Sequence, residues 1–262
     1  MQNTISQNPT VKILGIKFAN GEVTELVEGG LKGGLIVVPS GPGLAGDLVR
    51  SEAYREAVTT ADMAVPDSGA MVVFMKLLHR TRVKRVSGLR FLQALLKTEA
   101  LRTTGSNFWV HPSQNQMERN CDWLEGQGIA CQKEDHYIAP IYTNDFIEDA
   151  PLIEQLQARQ PKVIILSIGG GVQERLGLSI RRQYRQIGLP CPAIVCTGAA
   201  IGFLSGNQIN IPTWADRLYL GWLLRCIYQP RVFIPRYFKA IPLAYLILKY
   251  GSELPPIRSA KI

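Results

Sequence analysis

Residues 162–196 read KVIILSIGGGVQERLGLSIRRQYRQIGLPCPAIVC, and this stretch decides the fold. The apolar run Lys162–Ile168 is typical of a strand that is buried on both faces of a sheet. A glycine turn follows it, then a helical stretch at Val172–Gln186 and a second apolar strand at Ala193–Cys196. A strand, a helix and a further strand in this order form a βαβ unit, so the sequence predicts an α/β fold with a mostly parallel, Rossmann-like sheet and helices on both of its faces.

The same alternation of strands and helices runs through the upstream part of the chain. Further predicted strands are Val11–Phe18, Gly34–Val38, Met63–Val65 and Phe108–Val110. Further predicted helices are Ser51–Thr60, Ala70–His79, Phe91–Leu101, a helix that ends near Gly126, and Pro151–Arg159. Ligands of such sheets bind at the carboxyl ends of the strands. The candidate binding segments are therefore residues 39–41, 66–69 and 169–171.

The distribution of charge divides the chain in two. The 262 residues are 46% hydrophobic and 19% charged, with a net charge of +8. Residues 213–262 hold eight lysines and arginines against Asp216 and Glu253, so this end alone contributes +6. We therefore predict an α/β domain at residues 1–212 and a basic amphipathic appendage at residues 213–262.

The appendage interleaves basic and aromatic side chains. Trp214, Leu218 and Trp222 recur every four residues, as on one face of a helix. Such a segment can pack on the core, or it can bind an anionic ligand, a membrane surface or nucleic acid. Nucleic acid is not expected, because the rest of the chain offers no extended basic track. The residues predicted to contact a membrane are Trp214, Trp222, Phe233, Tyr237, Phe238 and Lys239.

Several classes of protein are disfavoured by sequence features. The polar start, Met1–Val11, does not resemble a signal peptide. The longest apolar run, Ala240–Leu248, is interrupted by Pro242 and is well short of the roughly 20 residues that span a bilayer. We therefore expect a cytoplasmic protein. The first strand leads to no glycine-rich dinucleotide turn, which argues against a nicotinamide oxidoreductase.

Cysteine and histidine positions do not predict a metal site. The five cysteines form no C-x-x-C pair and fit reduced thiols in a cytosolic protein. His79, His111 and His136 are far apart in the sequence and none has metal-ligand spacing. We therefore expect no zinc site and no metal cofactor.

Asp67 follows a short predicted strand and precedes a helix. The carboxylate could cap that helix, because aspartate accepts hydrogen bonds from the free N–H groups of a first helical turn. Ser68 could cap it equally well, which would leave Asp67 to face the cleft as a general base toward a hydroxyl. Arg85 closes the basic run of residues 79–85. That run is either a solvated loop or a source of guanidinium groups for phosphate.

The turn formed by Gly169, Gly170 and Gly171 also has two interpretations. It could simply end the strand, or its backbone N–H groups could cradle a phosphate at the start of the following helix. Gln173 and Glu174 could form hydrogen bonds with sugar hydroxyls or with a nucleobase, or they could be ordinary residues of a first helical turn.

Five segments together resemble the WecG/TagA/CpsF glycosyltransferase family (glycosyltransferase family 26), from about Leu35 to Tyr237. The family patterns A-D-x-x-x-P-D-G-x-G and R-V/I-x-G correspond to residues 61–70 and 85–88. G-x-P-x-Q-E corresponds to residues 169–174, with glycine in place of proline. G-x-x-F-D-F-x-x-G and the closing E-W-L-Y-R segment correspond to residues 198–206 and 221–237.

The resemblance implies an inverting, membrane-associated transferase of cell-surface polysaccharide synthesis. It would move an N-acetylmannosamine-type or related hexose from a UDP-sugar to a polyprenyl-diphosphate-linked acceptor, without an obligatory metal. The protein would lie on the inner face of the cell membrane, and whether it forms a homo-oligomer is left open. Asp67 would be the base and Arg85 an active-site cation. The implied substrate-binding residues are Ser40, Gly169, Gly170, Gly171, Gln173, Glu174, Arg225, Arg231 and Arg236.

The chain also departs from the family patterns at polar positions. Residues 38–40 read V-P-S where the family has T-P-N. Arg90, Gly202 and Gly221 replace acidic residues of the family patterns. We expect these changes to alter sugar recognition. They leave open a second interpretation, in which the chain is a divergent non-catalytic relative that binds a nucleotide sugar or a membrane and assists a partner transferase.

Overall fold

An eight-stranded sheet organises the part of the chain that the computed structural model describes, which is residues 9–206, 227–228, 230–231, 235, 238 and 241–258. The spatial order is β1-β2-β4-β3-β8-β7-β5-β6. Only the pair β1–β2 is antiparallel; the other neighbouring strands run parallel. The strands are β1 (Thr10–Ile13), β2 (Ile16–Ala19), β3 (Gly34–Val37), β4 (Met63–Ala64), β5 (Asn107–His111), β6 (His136–Ile138), β7 (Val163–Leu166) and β8 (Ala193–Cys196). The predicted α/β fold is confirmed.

In the described part of the chain, helices and two short 3-10 turns connect or follow the strands. The helices are α1 (Val23–Gly30), α2 (Gly41–Ala45), α3 (Glu52–Thr59), α4 (Gly69–His79), α5 (Gly88–Leu95), α6 (Glu99–Arg102), α7 (Gln114–Gly126), α8 (Ala150–Arg159), α9 (Val172–Gln186), α10 (Ala200–Leu204) and, near the end of the chain, α11 (Pro242–Tyr250). The 3-10 turns are Asp47–Val49 and Lys133–Asp135. Within the described residues, none of these helices combines the length and hydrophobicity that crossing a membrane requires.

The core lies on both faces of the sheet. Along β3, Leu35 and Val37 pack into one cluster with the buried sides of α2, α3, α4, α8, α9 and α11. Ile36 and Val38 face the opposite side and pack with α1, α5, α6, α7 and α10. Because successive strand residues alternate between faces, a strand covered on both sides must be apolar throughout, as the sequence of β3 is.

The predicted strand Val11–Phe18 is wrong, because the structure has a tight hairpin there. Leu14 and Gly15 form the turn with φ angles of 50° and 82°. Two positive φ angles suit a hairpin turn. The turn is fixed by a distant segment: Leu14 N–H and Gly15 N–H donate to the carbonyl oxygens of Gly251 and Ser252 at 2.9 and 3.0 Å. A side chain on Gly15 would also meet Leu254, with Cβ atoms 2.7 Å apart.

One further prediction differs from the structure, and one strand was missed. The predicted helix Phe91–Leu101 is divided into α5 and α6, because Thr98 Oγ1 donates to the Leu95 carbonyl oxygen at 2.6 Å and so competes with continued helix. The edge strand β6 was not predicted. It contains three residues, too few for a period-two pattern to be recognised.

The end of the chain packs against the sheet domain. Leu243, Leu246 and Ile247 of α11 are buried in the same core cluster as α4. His79, the last residue of α4, makes a 3.0 Å hydrogen bond through Nε2 with the Ile247 carbonyl group. The division at residue 212 stays a prediction, because residues 207–226 lie outside the described part.

Gly33 is the position where we expect the backbone to tolerate a side chain least. It has φ +105°, and a Cβ there would lie 2.4 Å from the Cys191 carbonyl oxygen. We predict that Gly33→Ala lowers the free energy of unfolding by about 2 kcal/mol or more in urea titrations. Gly126→Ala is the control, since nothing lies within 4 Å of a Cβ there. Equal stabilities of the two variants would contradict this account of the turn.

Candidate active site

Four loops meet at the carboxyl edge of the sheet, after β4, β3, β8 and β7. A Cβ on Gly170 would lie 3.8 Å from Ser40 Oγ, so the loops after β7 and β3 are neighbours. A Cβ on Gly88 would lie 3.3 Å from Val38 and 3.8 Å from the Thr197 carbonyl oxygen. The structure therefore brings the three candidate segments of the sequence to one edge, as the rule for parallel sheets predicts.

Asp67 does not cap the helix that follows it. Ser68 is the N-cap of α4, and its hydroxyl accepts from Met71 N–H at 3.2 Å. The Asp67 side chain is 29% exposed. Its Oδ1 accepts from Gly88 N–H at 3.2 Å. The capping alternative for Asp67 is thus excluded, and the carboxylate lies at the edge of the sheet.

Arg85 packs against Asp67. Its Nε donates to the Asp67 carbonyl oxygen at 2.7 Å, and a terminal nitrogen lies 3.8 Å from Oδ1. Only 17% of the Arg85 side chain is exposed. Arg80 and Arg82 of the same basic run are exposed, as the solvated-loop interpretation predicts for them. One guanidinium group of the run is therefore placed beside the carboxylate.

Ser40 and the glycine turn are neighbours at this edge. Ser40 caps the short helix α2, and its hydroxyl accepts from Gly43 N–H at 3.4 Å. Gly169 and Gly170 are exposed. Gly171 has φ +87°, whereas proline is fixed near −65°. The glycine that replaces the family's proline therefore accompanies a turn conformation that proline could not adopt.

Gln173 and Glu174 are buried and hold the loops together. Glu174 accepts from Gly171 N–H at 2.7 Å and from Gln173 Nε2 at 3.1 Å. Gln173 Oε1 accepts from Gly198 N–H at 2.6 Å, which joins the loop after β7 to the loop after β8. The two side chains are 4% and 1% exposed. Their predicted contact with substrate stays a prediction; the bonds described here position the glycine turn.

The carboxyl groups behind the glycine turn are shifted by burial. Burial raises the pKa of Glu174 to about 7, against the lowering effect of hydrogen bonds from backbone N–H groups and from Gln173. Burial also raises the pKa of Asp47, and the nearby Arg175 and Arg50 oppose that shift. Asp47 lies close to the turn, since a Cβ on Gly171 would be 2.8 Å from its Oδ2. The carboxyl groups of Glu174 and Asp47, behind the glycine turn, are therefore shielded from solvent.

Several predicted residues fall outside the described part of the chain. These are Trp214, Trp222, Arg225, Phe233, Arg236, Tyr237 and Lys239. Gly221, one of the departures from the family pattern, lies outside it as well. Arg231 and Phe238 are described, and both are exposed.

Two histidines that are distant in the sequence are neighbours in the structure. Nε2 of His111 lies 2.9 Å from Nδ1 of His136. Cys121, Cys131 and His136 also place potential metal-ligand atoms within 4.8 Å of one another. Spacing in the sequence therefore did not reveal that these groups are neighbours, and the expectation of no metal site stays a prediction. The missed signal is strand pairing: β5 and β6 are parallel neighbours, with Trp109 opposite His136.

Sequence comparisons cover most of the chain. The family model described as Glycosyl transferase WecG/TagA/CpsF family matches residues 11–255. An N-acetylglucosaminyldiphosphoundecaprenol N-acetyl-beta-D-mannosaminyltransferase of Bacillus spizizenii is 22% identical over 217 residues, 79% of each chain. A protein of the same name from Bacillus subtilis is 20% identical over 230 residues, 84% of each chain. The family match includes all four loops of the sheet edge.

We predict that Glu174 makes stability depend on pH. A buried carboxyl with a raised pKa favours the protonated form in the folded state, so folded-state stability falls as pH rises from about 4.5 to about 7. Glu174→Gln removes this dependence. In urea titrations over this pH range, the free energy of unfolding of the variant should rise relative to that of the wild type by an amount on the order of 3 kcal/mol.

The control for this titration is Glu28→Gln, which changes an exposed carboxyl. Over this pH range the unfolding free energy of Glu174→Gln should rise relative to the wild type by more than that of the control. Equal changes for the two variants would contradict the assigned environment of Glu174.

Proposed function

Because the chain belongs to the WecG/TagA/CpsF family of glycosyltransferases, we propose that it transfers an N-acetylmannosamine-type or related hexose from a UDP-sugar to a polyprenyl-diphosphate-linked acceptor, with inversion. The names of the two Bacillus relatives support the sugar class and the lipid-linked acceptor. The observation that carries the proposal is the placement of Asp67 and Arg85 at the same sheet edge as the glycine turn. A carboxylate at this edge would supply the base, and the glycine turn at the same edge would bind the donor's diphosphate.

Asp67 is proposed as the general base. Its carboxylate takes the proton of the acceptor hydroxyl while that oxygen attacks the anomeric carbon of the donor sugar. The bond from the anomeric carbon to the diphosphate breaks in the same step, and UDP leaves with the electron pair. A single displacement of this kind inverts the anomeric configuration. The Gly88 N–H and Arg85 hold the carboxylate in one orientation before the acceptor arrives.

The donor diphosphate is proposed to bind at the glycine turn. Gly169 and Gly170 are exposed at the start of α9, where backbone N–H groups and the helix dipole favour a negative charge. The Ser40 hydroxyl lies beside Gly170. We further assign Arg225, Arg231 and Arg236 to the developing charge of the leaving group, so that no divalent ion is obligatory.

A membrane-docking surface is proposed on α4 and α11, which pack against each other. The exposed apolar side chains of this α4–α11 face are Val73, Leu77, Leu78, Tyr245 and Leu248. Basic groups border it, among them Lys76 and Lys249. Apolar contact combined with attraction to anionic lipid suits peripheral binding at the cytoplasmic leaflet. The aromatic residues predicted in the appendage would extend this surface.

Helix α4 would link the proposed membrane-docking surface to the site. Helix α4 begins directly after Asp67 and Ser68. At 1.5 Å per residue, Leu77 lies about 12 Å along the helix from Gly69. An acceptor sugar whose lipid is anchored at the α4–α11 face therefore needs to reach only a short distance to meet Asp67.

Asp67→Asn is the first test of the mechanism. We expect the variant to keep its fold and to bind UDP-sugar, because asparagine preserves the shape of the side chain. Loss of the base should lower turnover by roughly 10²–10⁴-fold. The measurement is transfer of labelled sugar from UDP-sugars to a synthetic polyprenyl-diphosphate acceptor.

Asp122→Asn, which changes an exposed carboxylate on α7, is the matched control and should keep wild-type turnover. Wild-type turnover in Asp67→Asn would contradict the assignment of the base. The same assay in EDTA should lose no activity; recovery of a lost activity by Mg²⁺ or Mn²⁺ would contradict transfer without a divalent ion. Absence of transfer by the wild type would favour the non-catalytic interpretation.

The second test concerns the membrane. We predict that the full chain sediments with phosphatidylglycerol vesicles, and that raising the salt concentration weakens this binding. The double variant Leu77→Asn, Leu248→Asn should bind at least about tenfold more weakly, because each leucine loses on the order of 1.5–3 kcal/mol of apolar burial. Its activity on a water-soluble acceptor should persist.

Ile141→Asn is the control for this test, since Ile141 is 95% exposed but lies in the loop between β6 and α8. It should bind vesicles as the wild type does. Equal binding by the double variant and the wild type would exclude the α4–α11 face as the docking surface.

A further inference from the structure

Three potential metal ligands converge beside β6, the strand at one edge of the sheet. Cys121 lies on α7, Cys131 lies in the connection that follows it, and His136 is the first residue of β6. Their ligand atoms lie within 4.8 Å of one another. We propose that Cys121, Cys131 and His136 bind a zinc ion. The site is separate from the transfer chemistry and would stabilise the fold.

The spacing of the ligand atoms fits tetrahedral zinc. Zn–S bonds of about 2.3 Å and Zn–N bonds of about 2.0–2.1 Å, at a tetrahedral angle, put sulfur and nitrogen about 3.6 Å apart. Cys121 Sγ is 3.7 Å from His136 Nε2 and 3.8 Å from Nδ1, so the thiol is almost equidistant from the two ring nitrogens. Two sulfurs on one zinc are about 3.8 Å apart by the same geometry, which is within the 4.8 Å limit of the cluster. The ligand atoms are therefore close enough to share one ion once a side-chain rotation directs Nε2 toward it.

A buried chain of polar side chains orients His136. Its Nδ1 is engaged by His111 Nε2 at 2.9 Å, which leaves Nε2 as the nitrogen for the ion. His111 Nδ1 in turn lies 3.2 Å from Asn120 Nδ2, and Asn120 Oδ1 accepts from Ser205 at 2.6 Å. His111 and Asn120 are at most 1% exposed. Histidine ligands of zinc typically use their second nitrogen in this way, and such partners fix the ring orientation.

Soft donors and access from solvent favour zinc over magnesium or calcium. Two thiols and an imidazole are the ligands that zinc prefers, whereas hard cations require oxygen. Cys121 and Cys131 are half-buried, so an ion can reach them, and a water molecule can complete four-coordination. Glu125 follows Cys121 by one turn of α7 and adds negative charge nearby.

The ion would join three pieces of the edge of the sheet. Helix α7, the connection at residues 127–135 and β6 are each tied to one of the ligands. Binding to the folded state alone stabilises it, since the free energy of binding adds to that of folding. Zinc should therefore raise the melting temperature of the chain without being required at Asp67.

The test is titration of the reduced, full-length protein with Co²⁺ under anaerobic conditions. We expect one Co²⁺ per chain, with the sulfur-to-cobalt absorption and the intense visible bands of a tetrahedral thiolate site, displaced by Zn²⁺. Cys121→Ser and Cys131→Ser should each weaken binding by at least about 100-fold. Cys191→Ser is the matched control, because Cys191 is also half-buried but outside the cluster, and it should bind as the wild type does.

Thermal melting with and without Zn²⁺ provides a measurement that does not depend on activity. Zinc should raise the melting temperature of the wild type and of Cys191→Ser, and leave that of Cys121→Ser unchanged. Three results would overturn the proposal: no tetrahedral Co²⁺ spectrum in the wild type, wild-type affinity in Cys121→Ser, or a Cys121–Cys131 disulfide in place of the ion in protein isolated without reductant.

Discussion

The arrangement of the cleft depends on one buried chain of hydrogen bonds, from Gly198 to Gln173 to Glu174 to Gly171. The Gly198-to-Gln173 bond of 2.6 Å crosses between two loops, and the Gly171-to-Glu174 bond of 2.7 Å closes a turn. The Gln173-to-Glu174 bond of 3.1 Å joins them. Unsatisfied buried polar groups are costly, so these partners fix one another's positions. The loops after β7 and β8 are thereby joined, and the glycine turn is held in one conformation.

Local patterns in the sequence predicted the elements that depend on local forces. Helix Val172–Gln186 and strand Ala193–Cys196 have the predicted bounds, because apolar periodicity and flanking glycines and prolines define both. The hairpin at Leu14 and Gly15 could not be predicted in this way. Its turn lacks the usual Asn-Gly or Asp-Gly signal, and it is fixed by hydrogen bonds and packing from residues 251–254 at the other end of the chain.

The candidate site shows the same division between local and distant interactions. The sequence identified Asp67 and Ser68 as alternatives for the helix cap, and the choice of Ser68 required only the geometry of one turn. The pairing of His111 with His136 required knowledge that β5 and β6 are parallel neighbours. The number of residues between two strands does not determine whether those strands pair. Clusters that form across a parallel sheet are therefore the ones that motif spacing misses.

The proposed transfer of a sugar to a lipid-linked acceptor would add a constraint that one helix of the fold can meet. The acceptor's reacting hydroxyl must reach a carboxylate held away from lipid, while its lipid stays at the membrane. Helix α4 starts at the site and carries exposed apolar side chains in its later turns, where it packs with α11. Under the proposed function, a rigid α4 would fix the distance between the proposed base and the proposed membrane-docking surface. Movement of α4 would then change that distance and the start of the helix beside Asp67 together.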